Sequence, residues 1–229
     1  MSLTDSFAQR AIAYYLSLNV PDNLPTGVSA MNPYADPTVQ DIVRQFYTKF
    51  YSDNRPRVYI LGINPGRFGA GVTGLSFTTP QNLARYCGIP NDLAPTPELS
   101  SRFIYKVIEA FGGVEAFYGR FFLSSLYPLA LVKDGKNYNF YDDKATTNIL
   151  WPVMIEGLHQ QQTFGCDRHI AICLGRKNEG FLHKLNEQEA FFERIVSVDH
   201  PRYILQYKSK AIEQYVDTYL QVLTDAINL

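Results

Sequence analysis

The stretch Gly62-Ile63-Asn64-Pro65-Gly66-Arg67-Phe68-Gly69-Ala70-Gly71-Val72-Thr73-Gly74-Leu75-Ser76-Phe77-Thr78 follows the apolar run Val58-Tyr59-Ile60-Leu61. An apolar run that ends in glycine reads as a strand opening into a turn. Gly62, Gly66, Gly69, Gly71 and Gly74 permit positive φ angles and a close approach of backbone to ligand, which β-carbons would prevent. Among them stand one amide, Asn64, held on its C-terminal side by Pro65, and two aromatics, Phe68 and Phe77. The amide is suited to orienting water or a base, and ring faces are suited to stacking on one.

Working outward, three more β-branched or aromatic runs recur: Arg120 to Leu126, His169 to Leu174 and Arg194 to Asp199. Helical patterns fall between them at Pro80 to Cys87, Pro97 to Phe111, Thr146 to Gln162, with Pro152 expected in the first turns, and Lys177 to Gln188. Tyr207 to Leu223 reads as a closing helix, and Phe7, Ala11, Ile12, Tyr15 and Leu16 mark one near the start. Alternating strands and helices predict an α/β fold, a three-layer α/β/α arrangement with a central four-stranded, mainly parallel sheet. With 229 residues, 46% of them hydrophobic, and no linker-like stretch, one domain over 1–229 is expected. In such sheets ligands bind at the carboxyl ends of the strands. Each unusual local sequence lies at one of those ends: Asn64, Ser124-Ser125-Leu126-Tyr127-Pro128, Gly175-Arg176 and His200-Pro201-Arg202.

The Gly-rich stretch resembles the first motif of the uracil-DNA glycosylase superfamily, in particular its single-strand-selective monofunctional branch. That motif reads G-M-N-P-G-x-F-G, a short spacer, then T-G-x-x-F. Gly62, Asn64, Pro65, Gly66, Phe68, Gly69, Thr73, Gly74 and Phe77 match it in register. Asn32-Pro33-Tyr34 is similar to the branch's N-terminal Y-N-P segment, Ala171 to Arg176 to its third strand and G-R turn, and His200-Pro201 to the start of its second motif, H-P-S-P-R. Here His200-Pro201 continues as Arg202-Tyr203-Ile204, without the second proline. The likeness covers most of the chain from about Asn32 to the last helix.

The resemblance implies a DNA glycosylase that flips a nucleotide from the stack and cleaves its base–sugar bond. Phe77 would stack on the base, Phe68 would form another wall, and Gly62, Ile63 and Gly66 would bring backbone close to it. His200 follows a strand and precedes a proline; as a hydrogen-bond donor it would stabilise the anion of the leaving base without transferring a proton. His159, His169 and His183 fit surface or capping roles. Asn64 occupies a place where other branches have Asp, so it would position water rather than deprotonate it. Ser125 aligns with the asparagine that reads the base in the family, which leaves base identity open. Arg67 stands where the family usually has Pro; it is either a phosphate contact or a solvated charge.

The formal net charge is -1, from 21 basic and 22 acidic side chains, so composition excludes a strongly basic nucleic-acid binder. DNA contact would fall to a local set, Arg67, Arg176, Lys177, Arg202, Lys208 and Lys210. Three cysteines, Cys87, Cys166 and Cys173, fit a reducing compartment and cannot supply the four-cysteine iron–sulfur cluster of other branches. No metal or cofactor is expected. No signal peptide or membrane span is legible, and a cytoplasmic monomer is expected. The leading reading is hydrolysis of uracil or a related damaged base from DNA; a catalytically lapsed nucleic-acid or nucleotide-binding protein on the same scaffold and a hydrolase of free nucleosides are the alternatives.

Overall fold

The computed structural model describes residues 5–228. Its first part runs through α1 (Phe7–Leu16), β1 (Val28–Met31), α2 (Pro37–Phe50), β2 (Arg57–Gly62), α3 (Ala70–Thr73), α4 (Pro80–Arg85), α5 (Leu99–Phe111) and α6 (Val114–Tyr118). It continues with β3 (Phe121–Ser125), β4 (Ala130–Lys133), β5 (Lys136–Tyr138), α7 (Lys144–Gln162), β6 (Cys166–Leu174), α8 (Arg176–Glu189), β7 (Arg194–Val198), α9 (Pro201–Tyr207) and α10 (Ile212–Ile227). Local chemistry explains where several helices start. Ser6 and Gln9 form a reciprocal capping box at α1, while Asp36, Thr79 and Asp143 each accept from a backbone N–H in the first turn of α2, α4 and α7.

Strands pair in the order β3-β2-β6-β7, all parallel, as expected. Gly62 lies opposite Ser125, Leu61 opposite Cys173, and Leu174 opposite Val198, so the carboxyl ends share one edge. Alternation along the strands sends side chains to two layers. On one face the Tyr59 hydroxyl donates to Gln161 O of α7 at 2.5 Å, and Ser124 bonds Tyr15 of α1 and Gln161. On the other, Ile60, Ile172 and Val198 pack with Ile104 and Val107 of α5 and Tyr219, Val222 and Leu223 of α10. Burial of these apolar surfaces, each large side chain contributing roughly 1.5–3 kcal/mol, holds the sheet between its helices.

Several expectations need correction. A second, antiparallel sheet, β1-β4-β5, and helix α2 were not legible as elements. The closing helix begins at Ile212 rather than Tyr207; α9 and a 3-10 turn at Ser209–Ala211 precede it. Helix α7 starts early enough that Pro152 sits in its interior. Of the motif glycines only Gly74 takes a positive φ, +70°, while the non-glycine Phe77 adopts φ 55°. Crowding explains three of the others: a β-carbon at Gly71 would meet Gly66 O at 2.9 Å, one at Gly62 would meet Phe77 Cζ at 3.0 Å, and one at Gly69 would meet the Glu98 carboxylate. No helix among the described residues is long and apolar enough to cross a membrane.

Candidate active site

The carboxyl edge of the parallel sheet opens into a cleft of about 930 Å³. Ile63, Asn64, Gly66, Phe68, Phe77, Ser125 and His200, all singled out in the sequence, line it together. Gly62 lies one step deeper, beneath Phe77, and does not face the cleft.

The motif loop is fixed from several sides. Leu126 N–H donates to Gly62 O at 3.0 Å and Tyr127 N–H to Ile63 O at 3.1 Å, which extends the β2–β3 pairing into the loop. Beyond it, the buried Thr73 hydroxyl donates to Thr78 O at 2.7 Å. The Asn32-Pro33-Tyr34 segment supports the turn from behind, since the Tyr34 hydroxyl donates to Gly74 O at 2.8 Å. A β-carbon at Gly74 would lie 2.7 Å from the Tyr34 ring, so only glycine fits there, on steric as well as φ grounds.

Asn64 is clamped. Its Nδ2 donates to Tyr138 O at 3.0 Å and to Pro65 O at 3.3 Å, and its Oδ1 accepts from Phe140 N–H at 3.1 Å. Tyr138 and Phe140 belong to β5 and the residues after it, and Asn137 Oδ1 of the same strand accepts from Arg67 N–H at 3.0 Å. The β4–β5 hairpin is therefore a wall of the cleft that sequence reading missed. Its signal was present: Asp134-Gly135, both at positive φ (50° and 69°), is the Asp-Gly pair that two-residue hairpin turns prefer.

His200 caps α9, its Nδ1 accepting from Arg202 N–H at 3.1 Å. Burial first, then the Arg202 charge, lowers its pKa from 6.5 to about 4. At neutral pH the ring is uncharged; with Nδ1 occupied as an acceptor, the proton resides on Nε2. Gly175, at φ +98°, lets the G-R turn pass behind this ring: a β-carbon there would lie 3.1 Å from the His200 Cβ. The His200 and Phe77 rings have centroids 6.5 Å apart at 55°. The other histidines pair with surface glutamates, His159 with Glu189, His169 with Glu193 and His183 with Glu179.

Of the cationic set, Arg176, Lys177 and Arg202 line the cleft. Arg176 Nε lies 3.6 Å from Asp199 Oδ1, and Lys177 Nζ sits 3.9 Å from the Tyr141 ring centroid. Arg67 stacks its guanidinium on Phe68, 4.3 Å from the centroid, next to the lining residues. Lys208 and Lys210 are exposed beyond α9 and do not reach the cleft, because α9 ends before them. Two further residues escaped the sequence reading. Tyr203 and Tyr207, on α9, are 41% and 66% exposed at the cleft's edge with ring centroids 5.5 Å apart. Among the described residues no group of three or more His, Cys, Asp or Glu is placed to hold a metal ion.

Comparison with solved structures finds the crystal structure of wild-type SMUG2 from Pedobacter heparinus. It is 42% identical, covers 98% of this chain and 99% of its own, and superimposes with a TM-score of 0.94. No curated protein matches significantly. The family model described as the uracil DNA glycosylase superfamily matches residues 48–224, which span the motif loop, the cleft-bearing strand ends and His200. The chain belongs to the uracil DNA glycosylase superfamily.

Proposed function

We propose that this chain is a monofunctional DNA glycosylase that hydrolyses the N-glycosidic bond of uracil or a related damaged base in DNA. One observation carries the reading: a neutral, Nε2-protonated histidine shares a cleft with an aromatic ring and a backbone-clamped asparagine. Phe77 offers a stacking face worth about 1–3 kcal/mol to a flipped base. His200 Nε2–H donates to a carbonyl oxygen on the base and stabilises the negative charge that grows there as the bond breaks. A pKa near 4 keeps His200 a donor without making it a strong acid.

Asn64 is held by two hydrogen bonds to the hairpin side, with Tyr138 O and Phe140 N–H, and by a third to Pro65 O in its own loop, leaving one acceptor site on Oδ1 for a water. It orients the nucleophile and simultaneously ties the motif loop to the wall opposite. Arg176, Lys177, Arg202 and Arg67 supply phosphate contacts at the mouth, and the exposed pair Tyr203 and Tyr207 presents an aromatic surface to the strand.

Single-turnover release of base from a uracil-containing oligonucleotide, read as alkali-labile abasic sites, tests the reading. The wild type is expected to release base without cleaving the strand or forming a reducible Schiff base. Asn64→Ala is expected to slow the chemical step strongly. Wild-type rates in Asn64→Ala would remove the water-orienting role, and binding without base release by the wild type would favour a binding protein on this scaffold.

A further inference from the structure

Hydrolysis of the base–sugar bond leaves a proton to be placed. Water attacks C1′, the glycosidic electron pair departs with the base, and one proton of the attacking water must leave its oxygen. Neither residue discussed so far can take it. The Asn64 amide is not a base, and His200 already carries its proton on Nε2 while Nδ1 is engaged by the Arg202 N–H. Asp199 lines the cleft but faces Arg176 at 3.6 Å.

One acidic side chain in the cleft is unengaged. Glu98 precedes α5 but does not cap it, and its Oε2 is shut off from solvent with no hydrogen-bond partner. Its carboxylate lies flat over the backbone of Gly69, where a β-carbon would fall 2.3 Å from Oε2 and 2.5 Å from Oε1. Glycine at that motif position therefore makes room for this carboxylate. The neighbouring segment is secured to the same loop, because the Thr96 hydroxyl donates to Phe68 O. A buried carboxylate with no partner costs stability, and an orphan of this kind in a cleft calls for a functional explanation.

We propose that Glu98 is the proton acceptor for the water nucleophile. The assignment rests on the glycosylase reading of the cleft. As the C1′–oxygen bond forms and the C1′–nitrogen bond breaks, a water proton passes to a Glu98 oxygen. The base leaves as an anion held by His200, and Glu98 later returns the proton to the base or to solvent, so atoms and charge balance without a co-reactant.

Burial raises the Glu98 pKa from 4.5 to about 7, in the range where a general base works best. Desolvation is the only cause of that shift. The other charged or titratable cleft residues are Tyr138 on β5, Tyr141 after it, Arg176 and Lys177 on α8, Asp199 and His200 after β7, and Arg202, Tyr203 and Tyr207 on α9. Arg67 in the motif loop and Arg102 on α5 are the nearest along the flanking elements. None of these contributes to the Glu98 shift. His200, near 4, titrates well below the same window.

Single-turnover rates from pH 5 to 9 test the assignment in wild type, Glu98→Gln and Glu98→Asp. Affinity for an oligonucleotide bearing a non-hydrolysable uridine analogue and thermal melting are measured alongside. The wild-type rate is expected to fall tenfold per pH unit below about 7. Glu98→Gln should be at least about 100-fold slower at pH 8, lose that acid limb, bind the analogue as before and remain folded. Glu98→Asp should keep the limb at an intermediate rate. An active wild type with an equally fast Glu98→Gln, a slow variant that retains the acid limb, or a loss explained by weaker analogue binding would each overturn the role of Glu98 alone. A wild type that releases no base overturns the glycosylase reading with it.

Discussion

Gly62→Ala isolates one steric contact beneath the cleft, against the ring of Phe77. A methyl at this position would lie 3.0 Å from Phe77 Cζ and 3.2 Å from Cε2, against 3.5 Å from Ser124 O. Ordinary carbon contacts lie near 3.5–4.0 Å, so the strand can accept the methyl but the ring must withdraw by about half an ångström. The chain behind it cannot simply follow, because Phe77 is already at φ 55° and Thr78 O is bonded to the buried Thr73 hydroxyl. Removing the stacking face altogether, by Phe77→Ala, should lower the single-turnover kcat/KM by about 5- to 150-fold, the equivalent of 1–3 kcal/mol. Displacing it should cost less than removing it, up to about tenfold. The decisive assay is the double-mutant cycle: in the Phe77→Ala background, Gly62→Ala should have almost no further effect, since the methyl then has nothing to push. Fully additive losses, or a Gly62→Ala protein as fast as wild type, would refute the reasoning.

Three other outcomes are expected. Ser125 lines the cleft with a rotatable hydroxyl, which can pair with either a donor or an acceptor; wild type should discriminate less sharply than Ser125→Asn among uracil, cytosine, xanthine and hypoxanthine substrates, and identical strict selectivity in both proteins would disprove a reading role. Stability should depend on pH through two oppositely shifted groups. Glu98 binds its proton more tightly in the fold than in the unfolded chain, so its charging opposes folding as pH rises from 4.5 through 7; Glu98→Gln should therefore be more stable than wild type at pH 8, by on the order of 3 kcal/mol, and lose that advantage near pH 4. His200 binds its proton less tightly in the fold, so stability should also drop as pH falls from 6.5 toward 4, and a His200→Gln protein whose melting shows the same acid decline would contradict this. Finally, with only Arg67, Arg176, Lys177 and Arg202 near the cleft, the logarithmic salt slope for undamaged DNA should be no steeper than about −4, and a slope near −9 would mean that the contact surface is much larger.

The parallel sheet was legible because its strands are apolar runs bounded by glycine, proline and helical periodicity, signals that arise within a few residues. Asn64, Ser125 and His200 could be placed together because each lies at the carboxyl end of a strand of that sheet, and Phe77 because it closes the glycine-rich loop that follows one of them. The hairpin wall was not read, although Asp134-Gly135 announces it, because the strands beside the turn are short and β5 is largely exposed, so no apolar alternation accompanies the signal. Glu98 gave no signal at all: in Pro95-Thr96-Pro97-Glu98 it looks like one more loop charge, and its burial depends on a glycine far earlier in the chain. Lys208 and Lys210, expected among the DNA contacts, lie outside the cleft. Charge alone does not say how far a helix runs, and α9 stops before them.

The clamp on Asn64 also has a kinetic meaning. Its bonds to Tyr138 O and Phe140 N–H close chain segments of 74 and 76 residues. Contacts of such long range carry a loop-closure cost that slows folding. The parallel sheet does not include β5, so the wall that holds the asparagine belongs to the separate sheet β1-β4-β5. Loss of these two side-chain bonds would free the asparagine from its wall without breaking any pairing of the parallel sheet, so the order of the catalytic amide depends on a part of the fold that the strand ends themselves do not supply.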